Sequence, residues 1–149
     1  MKLVLQRVSS ASVSVDGCTE SIGKGLVVFL CIEKEDTQAA VDRYAPKVAG
    51  LRIFEDDTGK MNRSVKEVNG EVLLVSQFTL AADAEKGRRP SFDRAASPDL
   101  AIPLYEAFIH SLQSTGLRVV TGVFQAMMRV TLVNEGPVTV ILGRKKEEE

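Results

Sequence analysis

The sequence predicts a single α+β domain in which a mixed or antiparallel β-sheet is interrupted by two main helices. Segments of alternating or continuous apolar residues occupy both ends of the chain and indicate several short strands. Between them, two stretches carry apolar residues at i, i+3, i+4 and i+7, which is typical of helices that bury one face. The 149 residues, 44% of them hydrophobic, suffice for one core. Mostly adjacent strands with two interrupting helices favour an α+β layer arrangement.

The first strands are predicted near the amino terminus. Alternation in residues 2–8 and 11–17 indicates two strands separated by a break near Ser9 and Ser10. The apolar run at 25–33 is long enough for a buried strand. The chain therefore opens as β-structure.

The first helix is predicted from a stripe that Asp36 or Thr37 could cap. Pro46 lies inside the pattern and either kinks the helix or starts a shorter one. The stripe consists of Val41, Tyr44, Ala45, Val48 and Leu51.

The remaining strands are predicted from three apolar segments. Residues 52–54 are strand-like, the run at 71–80 indicates a core strand, and residues 118–142 are again β-type. A turn is expected at 55–60, and residues 81–97 lack periodicity and indicate a loop.

The second helix has clear start and stop signals. Ser97 is placed as N-cap, Pro98 at the first helical position and Asp99 near the positive end of the helix dipole. Gly116 closes the helix. Its apolar stripe is Ala101, Leu104, Tyr105, Phe108 and Leu112.

Composition limits the function classes. The net charge of -1 suggests no bulk attraction to nucleic acid or membrane, so a polyanion would need a local basic patch. No signal pattern and no apolar run of about 18 residues is present. With only Cys18 and Cys31 as cysteines, we expect a reduced, cytoplasmic protein without metal or cofactor. We assign residues 1–143 to the domain and residues 144–149 to a charged, frayed tail.

Acid–base chemistry by side chains is poorly supported. His110, the single histidine, falls off the stripe of the second helix and should face solvent. Without it, no Ser-His-Asp or Cys-His set is possible. Cys31 lies in a predicted buried strand and should behave as a small hydrophobic residue. The acidic pairs Asp56-Asp57 and Glu33-Glu35 are interpreted as solvated.

Polar residues at the end of a predicted core strand suggest a site. Ser76, Gln77 and Thr79 close the run at 71–80, and in a strand Gln77 and Thr79 would share one face while Ser76 and Phe78 share the other. Alternatively, these side chains only bond nearby backbone.

The following loop combines positive charge with an aromatic ring. It contains Lys86, Arg88, Arg89 and Phe92, which is typical of a surface that binds phosphates and stacks bases. A solvated charged loop is the alternative interpretation.

Gly136-Pro137 interrupts an otherwise strand-like run at 132–142. Proline gives no N–H to a β-ladder, and glycine weakens a strand interior. For an arbitrary sequence, this would indicate an edge bulge or a tight turn.

Several segments resemble the D-aminoacyl-tRNA deacylase family. Two are the signature motifs, VSQFTLAAD at 75–83 and NEGPVT at 134–139. RRPSF at 88–92, QRVSSASVSVDG at 6–17 and RIFEDDTGKMN at 52–62 are similar as well. The resemblance runs from the first strand to the last.

The resemblance implies a barrel-like fold, a homodimer, and hydrolysis of the ester between a D-amino acid and the terminal adenosine of tRNA. It implies that Gly136-Pro137 is cis and reaches into the partner subunit's pocket to bar L-aminoacyl groups. Arg7 would brace this dipeptide, and Phe124 and Met128 would shape the pocket. The segment Ser76, Gln77, Phe78 and Thr79 would line the site. With tRNA as substrate, the basic loop described above is expected to bind it through Lys86, Arg88, Arg89 and Phe92. Arg88 and Pro46 depart from the family pattern.

A steric filter explains why such a dipeptide is useful. D- and L-aminoacyl groups contain the same atoms, so a rigid obstacle must stand where only the L side chain would lie. A proline peptide has restricted dihedral angles, and Gly136 has no Cβ and lets backbone approach a substrate closely. Glycine, which lacks a side chain, should pass this filter.

A mechanism follows from the lack of a general base. Backbone N–H groups near Phe78 and Thr79 could stabilise an oxyanion while the substrate 2'-hydroxyl assists. Thr79 as a covalent nucleophile is the alternative within the same reaction. A non-catalytic homodimer that binds the tRNA end is the rival class.

Overall fold

The structure is a computed structural model that describes residues 1–143, and it contains two helices and a mixed β-sheet. The tail predicted at 144–149 lies outside the described residues. Neither helix in the described range is long and apolar enough to cross a membrane. The strands are β1 (Lys2–Val15), β2 (Cys18–Ile22), β3 (Gly25–Cys31), β4 (Phe54–Glu55), β5 (Met61–Arg63), β6 (Glu71–Ser76), β7 (Val119–Thr121) and β8 (Arg129–Leu142). The helices are α1 (Gln38–Gly50) and α2 (Pro98–Ser114), and a 3-10 turn spans Phe78–Ala81.

The main sheet is organised around the long strand β1. β1 pairs antiparallel with β3 through its first half, with β2 through its second half, and with β8 along most of its length. β6 then pairs parallel to β3, and β7 parallel to β6. The predicted α+β class with a mixed sheet is confirmed.

The sheet curls until its ends approach each other, which gives the barrel-like shape. Glu71 of β6 accepts a hydrogen bond from the Gly23 N–H (3.0 Å) and forms an ion pair with Arg118. Arg118 also donates to the Ser21 carbonyl oxygen (3.1 Å). These contacts connect β2 to β6 and to the segment that enters β7. The Gly23 N–H and Arg118 hold the pKa of the Glu71 carboxyl below its usual value.

Two apolar cores lie on opposite sides of the curled sheet. The larger contains the buried faces of both helices with β1, β3 and β6. The smaller lies inside the curl and is formed by Val8, Ala11, Val13, Ile22, Val27, Leu73, Val75 and Val120. This arrangement explains why β3 and β6 alternate little and are apolar on both faces.

The helices follow the sequence pattern closely. All five stripe residues of α2 are buried, and His110 is exposed as predicted. In α1, Val41, Ala45 and Val48 are buried, but the cap residue Thr37 makes no side-chain capping bond. The helix runs through Pro46 without a restart, although an interior proline removes one hydrogen bond and crowds the preceding turn.

The predicted break at Ser9 and Ser10 is wrong. β1 is continuous, and its pairing with β8 is instead irregular between Gln6 and Ser10. Gln6 faces Thr139 while Val8 faces Asn134, so four residues of β8 stand opposite Arg7 alone. The extra residues bulge out of the ladder.

The strand predicted at 71–80 ends early. β6 stops at Ser76, and Phe78–Ala81 forms the 3-10 turn. The predicted alternation of faces beyond Ser76 is therefore wrong. β6 ends because its pairing with the parallel strand β3 ends. The last pair is Leu30 with Ser76, and beyond it only the Gln77 N–H donates a backbone hydrogen bond to β3.

The interpretation of Glu33 as a solvated carboxylate is also wrong. Its side chain is only 14% exposed and lies 3.0 Å from the Met1 amine. Asp36 accepts from the same amine and from the Glu33 N–H (2.7 Å each). Asp36 therefore fixes the turn before α1 instead of capping the helix.

Candidate active site

A cleft of about 540 Å³ opens where β6 ends, and it contains most of the predicted pocket residues. Its first wall is the end of β6 with Gln77 and Phe78, the first residue of the 3-10 turn. Its second wall is the segment from Phe124 to Met128, and Ala95, Ala96 and Pro98 close a third side. Ser76, Gln77, Phe78, Phe124 and Met128 were all predicted from the sequence, and the structure brings them together here.

The 3-10 turn presents free backbone donors. The N–H groups of Leu80 and Ala82 bond to the carbonyl oxygens of Gln77 and Thr79 (3.2 and 3.1 Å). Within residues 1–143, the N–H groups of Phe78 and Thr79 have no hydrogen-bond acceptor, as expected for the first residues of a helical turn. Two neighbouring donors at one edge of a cleft are suited to an oxyanion.

Side chains fix the conformation of this turn. Gln77 Nε2 donates to Thr79 Oγ1, so Thr79 is engaged locally and does not line the cleft. Phe78 is 57% exposed, and its ring packs edge-on against Phe92 with centroids 5.4 Å apart. Cys31 Sγ lies 3.6 Å from the Phe78 carbonyl oxygen. The turn is therefore held by contacts on both sides.

The second wall rests on α2. Phe124 packs against Tyr105 with ring centroids 5.8 Å apart, and the Tyr105 hydroxyl donates to the Leu74 carbonyl oxygen (3.2 Å). Gln125 has a φ of 64, a left-handed conformation that costs free energy in any residue with a Cβ. Gln125 lines the cleft but gave no signal in the sequence, because an isolated glutamine is ordinary in a loop.

The cleft has no group poised for acid–base chemistry. None of the lining residues, all within residues 1–143, carries a carboxylate, imidazole, ammonium or thiol. Burial raises the pKa of the nearby Cys31 thiol to about 11 and that of Tyr105 to about 12. Both groups are therefore neutral at physiological pH. Any catalysis in the cleft must use backbone donors, hydroxyls or the substrate itself.

The bulge of β8 carries Gly136-Pro137 away from this cleft. Both residues are exposed, their peptide bond is cis, and neither lines the cleft of its own chain. Arg7 is 7% exposed and spans the base of the bulge: Nε donates to the Glu135 carbonyl oxygen and Nη1 to the Ile53 carbonyl oxygen (2.9 Å each).

The Asn134 side chain holds the two ends of the bulge together. Its role was not predicted from the sequence. Its Nδ2 donates to the carbonyl oxygens of Arg7 and Val138 (3.2 and 3.1 Å). A Cβ at Gly136 would overlap Asn134 Oδ1 and would lie 3.0 Å from the Val138 nitrogen. A glycine at position 136 is therefore required for Asn134 to form these two hydrogen bonds.

The predicted basic loop forms a separate surface next to the cleft. Lys86, Arg88 and Arg89 are exposed and do not line the cleft. Paired backbone bonds between Asp83 and Ser91 (2.8 and 2.9 Å) close the base of their loop. Phe92 connects this surface to the cleft through its contact with Phe78.

Comparison with known proteins identifies the group to which this arrangement belongs. A family model described as D-Tyr-tRNA(Tyr) deacylase matches residues 4–143. The chain belongs to the D-aminoacyl-tRNA deacylase family. The resemblance predicted from the sequence motifs is confirmed, as is the enzyme class, because proteins with this name are hydrolases of aminoacyl-tRNA esters.

Relatives match along almost the whole chain. A D-aminoacyl-tRNA deacylase of Geobacter sulfurreducens is 58% identical over 97% of this chain and 96% of its own length. That of Symbiobacterium thermophilum is 54% identical over 98% and 97%. Family members thus share the full domain described above.

Solved structures share the fold. A protein described as c-Myc DNA Unwinding Element Binding Protein superimposes with a TM-score of 0.90 at 40% identity, covering 98% of this chain and 100% of the other. A probable eukaryotic D-amino acid tRNA deacylase has a TM-score of 0.82 at 19% identity, over 94% and 97%. The latter likeness concerns the fold alone.

Proposed function

We propose that this enzyme hydrolyses the ester that joins a D-amino acid, or glycine, to the 3'-terminal adenosine of tRNA, and that it spares L-aminoacyl-tRNA. The observation that carries the proposal is a cleft whose lining has no ionisable side chain, in a member of the deacylase family. Beside it, the Phe78 and Thr79 N–H groups of the 3-10 turn have no acceptor within residues 1–143. Such a site suits an activated ester, which needs positioning and oxyanion stabilisation more than a strong base. The activity would serve chiral proofreading in the cytoplasm, where aminoacyl-tRNA is used.

The chemistry is addition of water to the ester carbonyl. The Phe78 and Thr79 N–H groups donate to the carbonyl oxygen as it becomes negative. The bond from the carbonyl carbon to the ribose oxygen then breaks, that oxygen takes up a proton, and the free amino acid leaves. The neighbouring 2'-hydroxyl of the substrate assists proton transfer, since the lining residues offer no general base.

Chiral selection is assigned to Gly136-Pro137 of a partner subunit. The dipeptide is exposed and lies outside its own cleft, while Arg7 and Asn134 hold the base of its bulge. A backbone wall fixed in this way excludes an L side chain without contacting a D side chain. Discrimination of about ten-thousandfold corresponds to roughly 5.5 kcal/mol, which a steric clash can supply.

A homodimer is the simplest source of that partner. β8 presents exposed apolar residues beside the dipeptide, with Val133 55% and Ile141 48% exposed. An outward strand face of this kind is suited to association with a second copy. A two-fold arrangement would place each bulge at the other subunit's cleft.

The basic loop is assigned to the tRNA. Lys86, Arg88 and Arg89 would contact phosphates near the 3' end, and Phe92 offers an aromatic face beside the cleft. Binding should weaken as salt rises, because phosphate contacts release counterions. Arg88→Ala should weaken tRNA binding without allowing hydrolysis of L-substrates.

A single-turnover ester assay tests the proposal. D-tyrosyl-, L-tyrosyl- and glycyl-esters of one tRNA are incubated with excess enzyme at low absolute concentration, and the remaining ester is measured over time. We expect loss of the D-tyrosyl and glycyl esters and survival of the L-tyrosyl ester. Hydrolysis of the D-tyrosyl ester alone would show positive recognition of a D side chain and would contradict the exclusion filter.

The rival function is nucleic-acid binding without catalysis. It is favoured by the basic loop and by the structural similarity to the protein described as c-Myc DNA Unwinding Element Binding Protein. Salt-sensitive binding of uncharged tRNA with no ester hydrolysis in the same assay would support this rival.

A further inference from the structure

The segment that enters the β4–β5 hairpin supplies two partners of the Arg7 guanidinium group. Nη1 donates to the Ile53 carbonyl oxygen (2.9 Å), and Nη2 lies 4.0 Å from the Glu55 carboxylate. On its other side, Nε donates to the Glu135 carbonyl oxygen at the base of the bulge (2.9 Å). Because a guanidinium is planar and rigid, the positions of Ile53 and Glu55 set the direction in which Nε meets the bulge.

The turn of this hairpin is fixed by the Asp56 carboxylate. Its Oδ1 accepts from the Thr58 N–H, the Thr58 hydroxyl and the Lys60 N–H (2.9, 2.7 and 3.0 Å), and its Oδ2 accepts from Asn62 Nδ2 (3.2 Å). The Thr58 hydroxyl, followed by the Lys60 N–H, lowers the pKa of the Asp56 carboxyl to about 2, so the group is ionised at neutral pH. An aspartate that bonds the backbone of the following residues is typical of a fixed turn.

The body of the molecule holds this hairpin only at its two ends. Phe54 is 1% exposed and Val65, just after β5, is fully buried, whereas all residues from Glu55 to Asn62 except Asp56 are exposed. A two-stranded hairpin on its own is at best marginally stable in water. The bonds to Asp56 are therefore the main means by which the exposed part keeps its shape.

We propose that Asp56 is a positioning residue for chiral selection: it fixes the hairpin, the hairpin orients Arg7, and Arg7 holds the Gly136-Pro137 bulge. The inference rests on the proposed function and extends selection to a segment that neither lines the cleft nor belongs to the bulge. It also gives a role to residues 52–62, whose sequence resembles the family.

The expected effect is a loss of selectivity and not of activity. In Asp56→Ala, which removes all four side-chain bonds, we expect hydrolysis of an L-tyrosyl ester to rise about tenfold or more. A shift of about 1 Å in a group near the reacting atoms can change a rate by about a hundredfold. kcat/KM for the D-tyrosyl ester should stay within about twofold, because no residue that lines the cleft is altered.

Two further substitutions separate the bonds of Asp56 from its charge. Asp56→Asn loses the charge but keeps an oxygen that can accept from Thr58 and Lys60, so the rise in L-ester hydrolysis should be smaller than in Asp56→Ala. Asp57→Ala is the matched control, since it removes a carboxylate from the same turn. The Asp57 side chain is 93% exposed and pairs with Arg63 (3.1 Å), and its loss should leave selectivity unchanged.

The experiment measures D-tyrosyl- and L-tyrosyl-tRNA hydrolysis by the unaltered enzyme and the three variants, together with amide hydrogen exchange of residues 132–142 by mass spectrometry. Graded L-ester hydrolysis in the Asp56 variants, faster exchange of the bulge in Asp56→Ala and no change in Asp57→Ala support the inference.

Several results would overturn it. These are continued rejection of the L-ester by Asp56→Ala, an equal gain of L-ester hydrolysis in Asp57→Ala, or a fall in D-ester hydrolysis without a gain on the L-ester. The exchange measurement requires no activity, so unchanged exchange of the bulge in Asp56→Ala would overturn the inference by itself. An unaltered enzyme that hydrolyses neither ester would instead overturn the proposed function.

Discussion

The Thr79 side chain lies next to the candidate site, but its hydroxyl is used to maintain the conformation of the 3-10 turn. Its hydroxyl accepts from Gln77 Nε2 and does not line the cleft, while its N–H is one of the two free donors. The side chain of Thr79 therefore maintains the turn, and only its N–H has the role proposed above in stabilising the oxyanion. The distinction separates oxyanion stabilisation from covalent catalysis by Thr79.

Thr79→Ala should retain substantial deacylase activity. The N–H donors survive the substitution, and we expect kcat to fall by no more than about tenfold through a looser turn, whereas removing a true nucleophile costs several orders of magnitude. A substrate that ends in 2'-deoxyadenosine should react much more slowly with the unaltered enzyme. Complete inactivity of the variant with normal turnover of the deoxy substrate would instead identify Thr79 as the nucleophile.

Gln125→Gly should stabilise the protein. The φ of 64 at Gln125 carries a cost that glycine does not have, and this cost exceeds the extra entropy that glycine gains on unfolding. We expect the free energy of unfolding to rise by about 0.5–1 kcal/mol, or roughly 2–3 °C in Tm. Gln125→Ala keeps the Cβ and serves as control, with no gain in thermal denaturation. A less stable glycine variant would show that the glutamine side chain makes a compensating contact.

Among the elements, the bulge of β8 depends on the strand beside it. Arg7 of β1 donates to one carbonyl oxygen of the bulge and to one in the segment after α1, and the first bond is partly buried while the second is buried. A planar guanidinium can reach two carbonyls in different directions, whereas a lysine ammonium carries its donors at one point. The Arg7 side chain thus connects the bulge to the segment after α1, in addition to the bond from Asn134 to the Arg7 carbonyl oxygen.

Arg7→Lys should destabilise the protein despite the retained charge. At least one charge-assisted hydrogen bond is lost, so we expect the free energy of unfolding to fall by about 1.5–3 kcal/mol in a denaturant titration. Arg63→Lys is the control, because its partner Asp57 is exposed and such surface pairs contribute about 0–1 kcal/mol. Equal effects of the two substitutions would contradict a special role for Arg7.

The elements also show what the sequence could and could not predict. The position of α2 was predicted correctly because its stripe and its Ser97-Pro98 start are local signals, although Ser97 makes no side-chain capping bond. The end of β6 was missed because Phe78, Thr79 and Leu80 are all good strand residues, and only the end of pairing with β3 stops the strand. Local composition carries no information about where a partner strand ends.

The same limit applies to the site. The family resemblance implied a site at Ser76, Gln77, Phe78, Phe124 and Met128, and these residues do meet in one cleft, whereas the predicted Thr79 does not line it. Ala95 and Ala96 were missed because small apolar residues line a cavity without any chemical signal. Asn134 was missed as an individual because its role depends on the geometry of a bulge that residue spacing does not reveal.

At the scale of the whole molecule, the separation of the Gly136-Pro137 bulge from its own cleft divides the proposed activity between two chains. One subunit would supply the donors of the 3-10 turn, and the other would supply the wall. Catalysis and chiral selection should therefore be separable by mixing subunits.

A mixed dimer tests this division directly. One subunit carries Ala95→Trp, which fills its cleft, and the other carries Pro137→Gly, which loosens its bulge; two affinity tags isolate the mixed species. The single open cleft then faces an unaltered bulge from its partner, so we expect hydrolysis of D-tyrosyl-tRNA and rejection of L-tyrosyl-tRNA. The Pro137→Gly homodimer is the control and should accept both esters. Hydrolysis of the L-ester by the mixed dimer would show that each bulge guards its own cleft.

The two separate cores offer a route by which this enzyme could change without losing its fold. Met128 and Val130 of the cleft pack with the smaller core, whereas both helices and most large buried side chains belong to the larger one. Substitutions inside the curl of the sheet would alter the cleft floor while the larger core continues to maintain foldability. For laboratory evolution, a library restricted to the smaller core should yield many folded variants with altered substrate range, and one restricted to the larger core should yield few.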